Sequence, residues 1–330
     1  MKLQRFALVI LACVAAAACA SRSGAPLVYI SNERAGTISV IDSGTDEAVD
    51  TIHVGGRPRG IRISPDGSRI YVAVSSPMNR KYNHEENKIV AVDTASGKVV
   101  ARYEVGTDPE QLAISTDGNF LYASNEDAGT ATIVDVRTNE LLKTLVVGIE
   151  PEGVTISPDG KWVYIMAETS NTVSVIDTEA MEVVSTFAVG HRPRDAAFSP
   201  DGSRAYVTAE LGKVMSVVDV SRHEVIETVP LINDASSLPV GVVVSPDGSR
   251  IYVANGRHNS VSIIDAETFE MLETVPVGSR VWGIGLTPDG SKLYAGNSLS
   301  NTVSVIDTAA IRVIATITTG DGPWGVAIRP

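Results

Sequence analysis

The chain has 330 residues, 44% of them hydrophobic and 5% aromatic, with 28 Gly and 16 Pro. That length and apolar content suffice for a large buried core and exclude an intrinsically disordered chain. The formal charge of −12 lacks the basic stripe of a phosphate-tracking protein and argues against nucleic acid as a partner. Both cysteines, Cys13 and Cys19, fall in the first twenty residues, so the rest of the chain has no disulfide, thiol nucleophile, Cys-ligated zinc or CxxCH haem site.

Residues 1–20 read as an export signal. Lys2 and Arg5 precede the uncharged apolar run Phe6 to Ala18, which is too short to span a bilayer comfortably. The end of the segment, Ala18-Cys19-Ala20-Ser21, admits two processings: cleavage after Ala20, or a lipobox-like cleavage that leaves Cys19 lipidated. Either outcome predicts an exported protein in the periplasm, with the second adding a lipid anchor at the outer membrane.

From residue 21 to 330 the chain is organised by one repeat. A β-branched segment ending in Asp recurs at Asp42, Asp93, Asp135, Asp177, Asp219, Asp265 and Asp307, spaced by 51, 42, 42, 42, 46 and 42 residues. Six Asp-Gly turns stand at Asp66, Asp117, Asp159, Asp201, Asp247 and Asp289. Apolar residues between these marks alternate with period two, as in Thr172-Val173-Ser174-Val175-Ile176, so each unit supplies four half-buried strands. About 42 residues per four strands is the length of a propeller blade. The first unit starts at its second strand, Leu27 to Ile30, and the chain stops after a first strand, Gly325 to Ile328. Pairing the two closes the ring and hides both open edges. The expectation is all-β, a single seven-bladed β-propeller.

Most repeated residues read as scaffold. The seven Asp sit at tight turns where the carboxylate accepts backbone N–H groups two residues on, and the Asp-Gly pairs are hairpin turns. Function is expected where the repeat varies. The residue after each recurrent proline enters an inner strand at one channel mouth, and around the ring it reads Trp324, Arg59, Glu110, Glu152, Arg194, Val240 and Trp282. Arg57 and Arg192 reinforce the arginines, and Asp108 and Glu150 the acids. Loops between second and third strands add Glu33, Glu126, Asp127, Glu168 and Glu210 on the same face. This is either a solvated ring of mutually neutralising, exposed pairs plugged by two tryptophans, or a cup for a small polar ligand or a partner's loop, since Trp and Arg anchor interfaces. A nine-residue insertion within residues 75–88 carries Arg80, Lys81, Tyr82, His84, Glu85 and Glu86. It reads as a rim loop or a tolerated insertion rather than a metal site, because adjacent side chains splay apart.

Tyr71-Val72-Ala73 and Tyr252-Val253-Ala254-Asn255, with the Val-Ser-Val-Ile-Asp segments, resemble YVTN-type propeller repeats. The loops Arg57-Pro58-Arg59-Gly60, Asp108-Pro109-Glu110, Glu150-Pro151-Glu152-Gly153, Arg192-Pro193-Arg194, Arg280-Val281-Trp282 and Gly322-Pro323-Trp324-Gly325 resemble the propellers associated with pyrroloquinoline-quinone-dependent catabolism. The resemblance runs from Leu27 to Ile328, and the second-blade insertion departs from it. It implies an exported accessory of alcohol-oxidising quinoprotein systems, with a dehydrogenase or its electron carrier as partner and no cofactor of its own. The chain does not look like the dehydrogenase itself, which is eight-bladed and tryptophan-rich. Trp162, Trp282 and Trp324 are the tryptophans here.

The leading expectation is therefore a non-enzymatic binding or scaffold protein using the channel mouth. The alternative is a lactonase- or lyase-like enzyme in which Glu110 and Glu152 form a carboxylate pair whose repulsion raises one pKa. Arg59 and Arg194 beside them would instead keep both ionised. Stacking of single-stranded DNA on the two tryptophans is a third idea, opposed by the net charge.

Overall fold

The computed structural model describes residues 24–77 and 83–329. The signal segment with Cys19, and Arg80, Lys81 and Tyr82 of the insertion, lie outside the described residues. Among the described residues there are 28 strands in seven antiparallel sheets of four. The chain is a seven-bladed β-propeller. Six blades take their strands consecutively, and the seventh joins the last strand, Pro323–Ile328, to the first three, Leu27–Asn32, Thr37–Asp42 and Glu47–His53. Val28 pairs Ile328 and Ile30 pairs Val326 across that closure.

Burial follows the alternation. The two central strands of each blade are almost wholly buried, whereas the outermost ones, such as Glu182–Ala188, alternate exposed and covered residues. One tyrosine per blade (Tyr29, Tyr71, Tyr122, Tyr164, Tyr206, Tyr252 and Tyr294) is buried on the second strand. Together with Val, Ile and Leu these rings fill the wedges between blades. The repeated aspartates behave as turn formers: Asp42 accepts the N–H of Gly44 at 2.8 Å and Asp177 that of Glu179 at 2.9 Å. Asp93 instead accepts that of Ser96, three residues on. Glycines of the six Asp-Gly turns have φ between 68° and 75°, a left-handed conformation that a Cβ penalises.

The inner strands begin earlier than their apolar runs, at the proline itself in Pro109–Ile114, Pro151–Ile156, Pro193–Phe198 and Pro323–Ile328. A first strand residue needs no ladder donor, so proline fits there. The register then slips between Pro109 and Leu112, Pro151 and Val154, and Pro193 and Asp195. These bulges fall on the residue after each proline and turn its side chain towards the channel mouth.

Candidate functional site: the channel mouth

The two sets of loops named from sequence meet on one face. Backbone N–H groups of Glu33, Glu126, Glu168, Glu210 and Ser298 donate to carbonyls of Gly322, Asp108, Glu150, Arg192 and Arg280. Asp108, Glu150, Arg192 and Arg280 are all held at positive φ, between 50° and 64°, where non-glycine residues are uncommon and strained. Asn side chains from the neighbouring turns pin this geometry: Asn171 accepts the N–H of Arg192, and Asn259 that of Arg280, both at 2.8 Å.

The resulting cup encloses about 430 Å³ and is lined by Arg59, Glu110, Glu152, Arg194, Trp282 and Trp324, with Arg57 and Asp108 on its rim. Its ion pairs are buried, which corrects the expectation of a solvated, exposed ring. The bulges point the long side chains inward, where neighbouring blades cover them. Arg59, 4% exposed, pairs with Glu110, lies 2.6 Å from Asp108 and 3.8 Å from Glu126. Arg194, 7% exposed, pairs with Glu152 and lies 2.5 Å from both Glu168 and Glu210. Arg57 pairs with Glu33 at 3.3 Å and Arg192 with Glu168 at 2.5 Å.

Glu110 and Glu152 therefore do not form a mutually repelling pair, because each is taken by its own arginine. Burial works to raise the Glu152 pKa, but Arg194 and a hydrogen bond from Glu168 outweigh it and the net shift is downward. The acids that hold protons are in the loops. Burial, and then the Glu152 charge, push Glu126 up to about 7 against the pull of Arg59. Glu168 is also raised, first by burial and then by its hydrogen bond to Glu152. Glu150 is not part of the cup: its carboxylate turns outward and accepts the Thr169 hydroxyl. Asp127 is exposed and acts only through its charge on Glu126, while Val240 is buried behind the rim.

Trp282 and Trp324 stack with centroids 5.6 Å apart and planes tilted by 39°. Two arginines lie over Trp282, Arg280 at 4.5 Å and Arg194 at 5.5 Å, within cation–π range. Arg280 is the main residue that the sequence reading undervalued. Its nearest carboxylate is Glu210 at 3.5 Å, a group already engaged by Arg194, and its Nη1 is buried without a hydrogen-bond partner. Burial lowers its pKa, Glu210 opposes this, and the charge of exposed Arg257 lowers it further. The signal was present in the repeat, since Arg280 aligns with Asp108, Glu150 and Arg192.

Carboxylates of Asp108, Glu110 and Glu126 approach within 4.8 Å of one another, the one such cluster with metal-ligand spacing among the described residues. The Arg59 guanidinium already supplies the positive charge there, so the donor set does not fit a resident metal ion. His84 with Glu85 and Glu86 forms a short 3-10 turn in which Asn83 caps the Glu85 N–H at 3.1 Å. They are not among the clustered metal-type ligands.

Two families match parts of the sequence: one described as lactonase, 7-bladed β-propeller, over residues 177–312, and YNCE-like β-propellers over residues 87–244. The chain is similar to both. Over 103 residues, 30% of this chain, it is 27% identical to Antigen Lp49 of Leptospira interrogans, and that stretch spans 23% of the antigen's length. Hydrazine synthase of Kuenenia stuttgartiensis superposes with a TM-score of 0.77 at 24% identity, covering 88% of this chain and 94% of that one. A Bacteroides uniformis protein assigned as a 6-phosphogluconolactonase gives 0.76 at 19% identity, covering 92% and 99%. A functionally unknown protein from Desulfotomaculum acetoxidans gives 0.77 at 20%, covering 92% and 98%. At these identities the structural likenesses speak to the fold.

Proposed function

We propose that this propeller is an exported, non-enzymatic binding or scaffold protein that takes an anionic group of a partner, or of a small polar ligand, at the channel mouth. The observation that carries this reading is the corner formed by Arg257, Arg280, Trp282 and Trp324. Arg57, Arg59 and Arg194 each have a carboxylate within 3.3 Å, whereas among the described residues Arg280 has only Glu210 at 3.5 Å, shared with Arg194, and its buried Nη1 stands unpaired on an aromatic wall. Leu299, 64% exposed, borders the same corner and extends it with apolar surface. Arginine and tryptophan in a partly desolvated pocket are the usual energetic anchors of recognition. The loop resemblance suggests a periplasmic partner from a pyrroloquinoline-quinone-dependent system, a quinoprotein dehydrogenase or its electron carrier. Export and the lipidation of Cys19 belong to this proposal.

The test is a mild pull-down from native membranes and periplasm, comparing wild type with an Arg257→Ala, Arg280→Ala double variant. Neither residue is buried against several acids as Arg59 is, so the fold should survive. Proteins retained by wild type and lost by the variant support the reading. Identical captured sets overturn it.

A lactonase-like enzyme is the second reading, favoured by the family match over residues 177–312, which include Arg194, Arg280 and Trp282 of the mouth. In that case the acid–base candidates are Glu126 and Glu168, the carboxyls that hold protons near neutrality, rather than Glu110 and Glu152. Hydrolysis of glucono-δ-lactone that is lost in Glu126→Gln would favour this reading. No turnover above background removes it.

A further inference from the structure

Behind the cup the channel widens into a second cavity of about 480 Å³, within the range of small-molecule sites. Glu152, Arg194, Trp282 and Trp324 line both spaces and form the septum between them. The cavity ends at a ring of apolar side chains, the last residues of their inner strands: Ile63, Ile156, Phe198, Val244, Leu286 and Ile328. Most of this ring is partly exposed, so the cavity opens on the face opposite the cup.

The repeat explains which residues inside it are unusual. One position beyond the mouth residue, five blades carry glycine (Gly60, Gly153, Gly241, Gly283 and Gly325), while blades three and five carry Gln111 and Asp195. Two positions further on, the other six blades carry small or medium residues, from Gly285 and Ala197 to Val243, and blade two alone carries a long one, Arg62. Thus, beyond the septum's own Glu152–Arg194 pair, the lining adds one cation, Arg62, and deeper towards the septum one carboxylate, Asp195, with the buried Gln111 amide oxygen unpaired at the same depth.

Arg62 donates to the carbonyls of Ile61 at 2.9 Å and Val154 at 3.4 Å. Asp195 accepts the N–H groups of Ala196 at 2.9 Å and Val242 at 3.4 Å. The two charges act on each other: burial lowers Arg62 and Asp195 opposes that, while burial pushes Asp195 up to about 6 and Arg62 opposes that. Yet they form no ion pair among the described residues. Unlike charges stand across a cavity, each held by neutral backbone groups, with apolar side chains at the open end.

The geometry points to a second binding site in the channel for a small apolar α-amino acid, whose carboxylate meets Arg62, whose ammonium meets Asp195 and whose side chain packs on the apolar ring. A zwitterion satisfies both half-buried charges at once, which neither a simple anion nor a simple cation does. The site shares its septum with the cup, but Arg257 and Arg280 of the anion-binding corner do not line it.

Calorimetric titration of the wild-type chain with L-leucine tests it, alongside three partial analogues. These are 4-methylpentanoate, which lacks the ammonium, isoamylamine, which lacks the carboxylate, and glycine, which lacks the side chain. L-leucine is expected to bind at least about tenfold more tightly than any of the three. Arg62→Met and Asp195→Asn should each weaken it by a similar factor, and Arg257→Ala, at an exposed residue that lines the cup and not this cavity, should leave it unchanged. Because the ligand series uses the unaltered protein, the result does not depend on how the variants fold. Absence of heat with L-leucine at millimolar concentration overturns the site. Equal binding of 4-methylpentanoate or isoamylamine overturns the zwitterion, and loss of leucine binding in Arg257→Ala overturns the second site and moves binding to the cup.

Discussion

Replacing Arg59 with methionine keeps most of its volume but strips the compensating charge from Asp108, Glu110 and Glu126. Breaking a buried pair from one side typically costs about 3–5 kcal/mol, because the remaining charge stays desolvated. Urea denaturation at neutral pH should show a loss of that order, and the gap to wild type should narrow at pH 5, where Glu126 holds its proton. Glu126 and Glu168 give the wild type its own pH signature. Their folded pKa values lie above the ordinary 4.5, so the native state binds protons more tightly than the unfolded chain does. Their contribution is intact below about 4.5 and is lost as the pH rises through about 7 and beyond. The melting temperature should fall across that interval, and a Glu126→Gln, Glu168→Gln variant should flatten the fall. At this scale the sequence exposed the mouth well, because side chains that break a repeat are conspicuous. Which acid stays protonated was not readable, since that depends first on how deeply each carboxyl is buried and then on its hydrogen bonds and the charges around it.

Within each inner strand the layer of glycines reflects how closely neighbouring blades approach. A Cβ added to Gly325 would lie 2.7 Å from the Arg59 carbonyl, and one on Gly241 would lie 2.7 Å from that of Trp282. These obstacles are backbone atoms of the next blade and can yield only by parting the blades. Gly325→Ala should therefore cost about 1–3 kcal/mol, as overpacking does, measured by the denaturation midpoint. Gly55→Ala, which meets nothing within 4 Å but has φ of 82°, tests backbone conformation alone. The strands themselves were legible from alternation and turn chemistry. Their starting points were not, because a bulge consumes residues without advancing the pairing. The channel pair Arg62 and Asp195 escaped attention for a related reason: their layers looked like scaffold until the glycine pattern showed them as exceptions.

For the whole molecule, ring closure is the feature with the largest mechanical role. Removing Pro323–Ile328 takes the inner strand from the closing blade and leaves Val28 and Ile30, both fully buried in the intact ring, on an open edge. Such an edge is a template for association. A chain truncated after Gly322 should melt at lower temperature and elute as aggregates in size-exclusion chromatography. The seven-fold period made closure legible, since a chain that begins with a second strand and ends with a first one leaves little alternative.

That same pairing also sets an orientation. Leu27 opens its strand beside Ile328, on the side of the apolar exit ring; the carbonyls of Pro26 and Leu27 there accept from Ser43 and Arg329. The described chain thus begins on the face away from the arginines and tryptophans. A tether attached at the first described residues would therefore meet the underside of the bowl and leave its rim open to whatever drifts past.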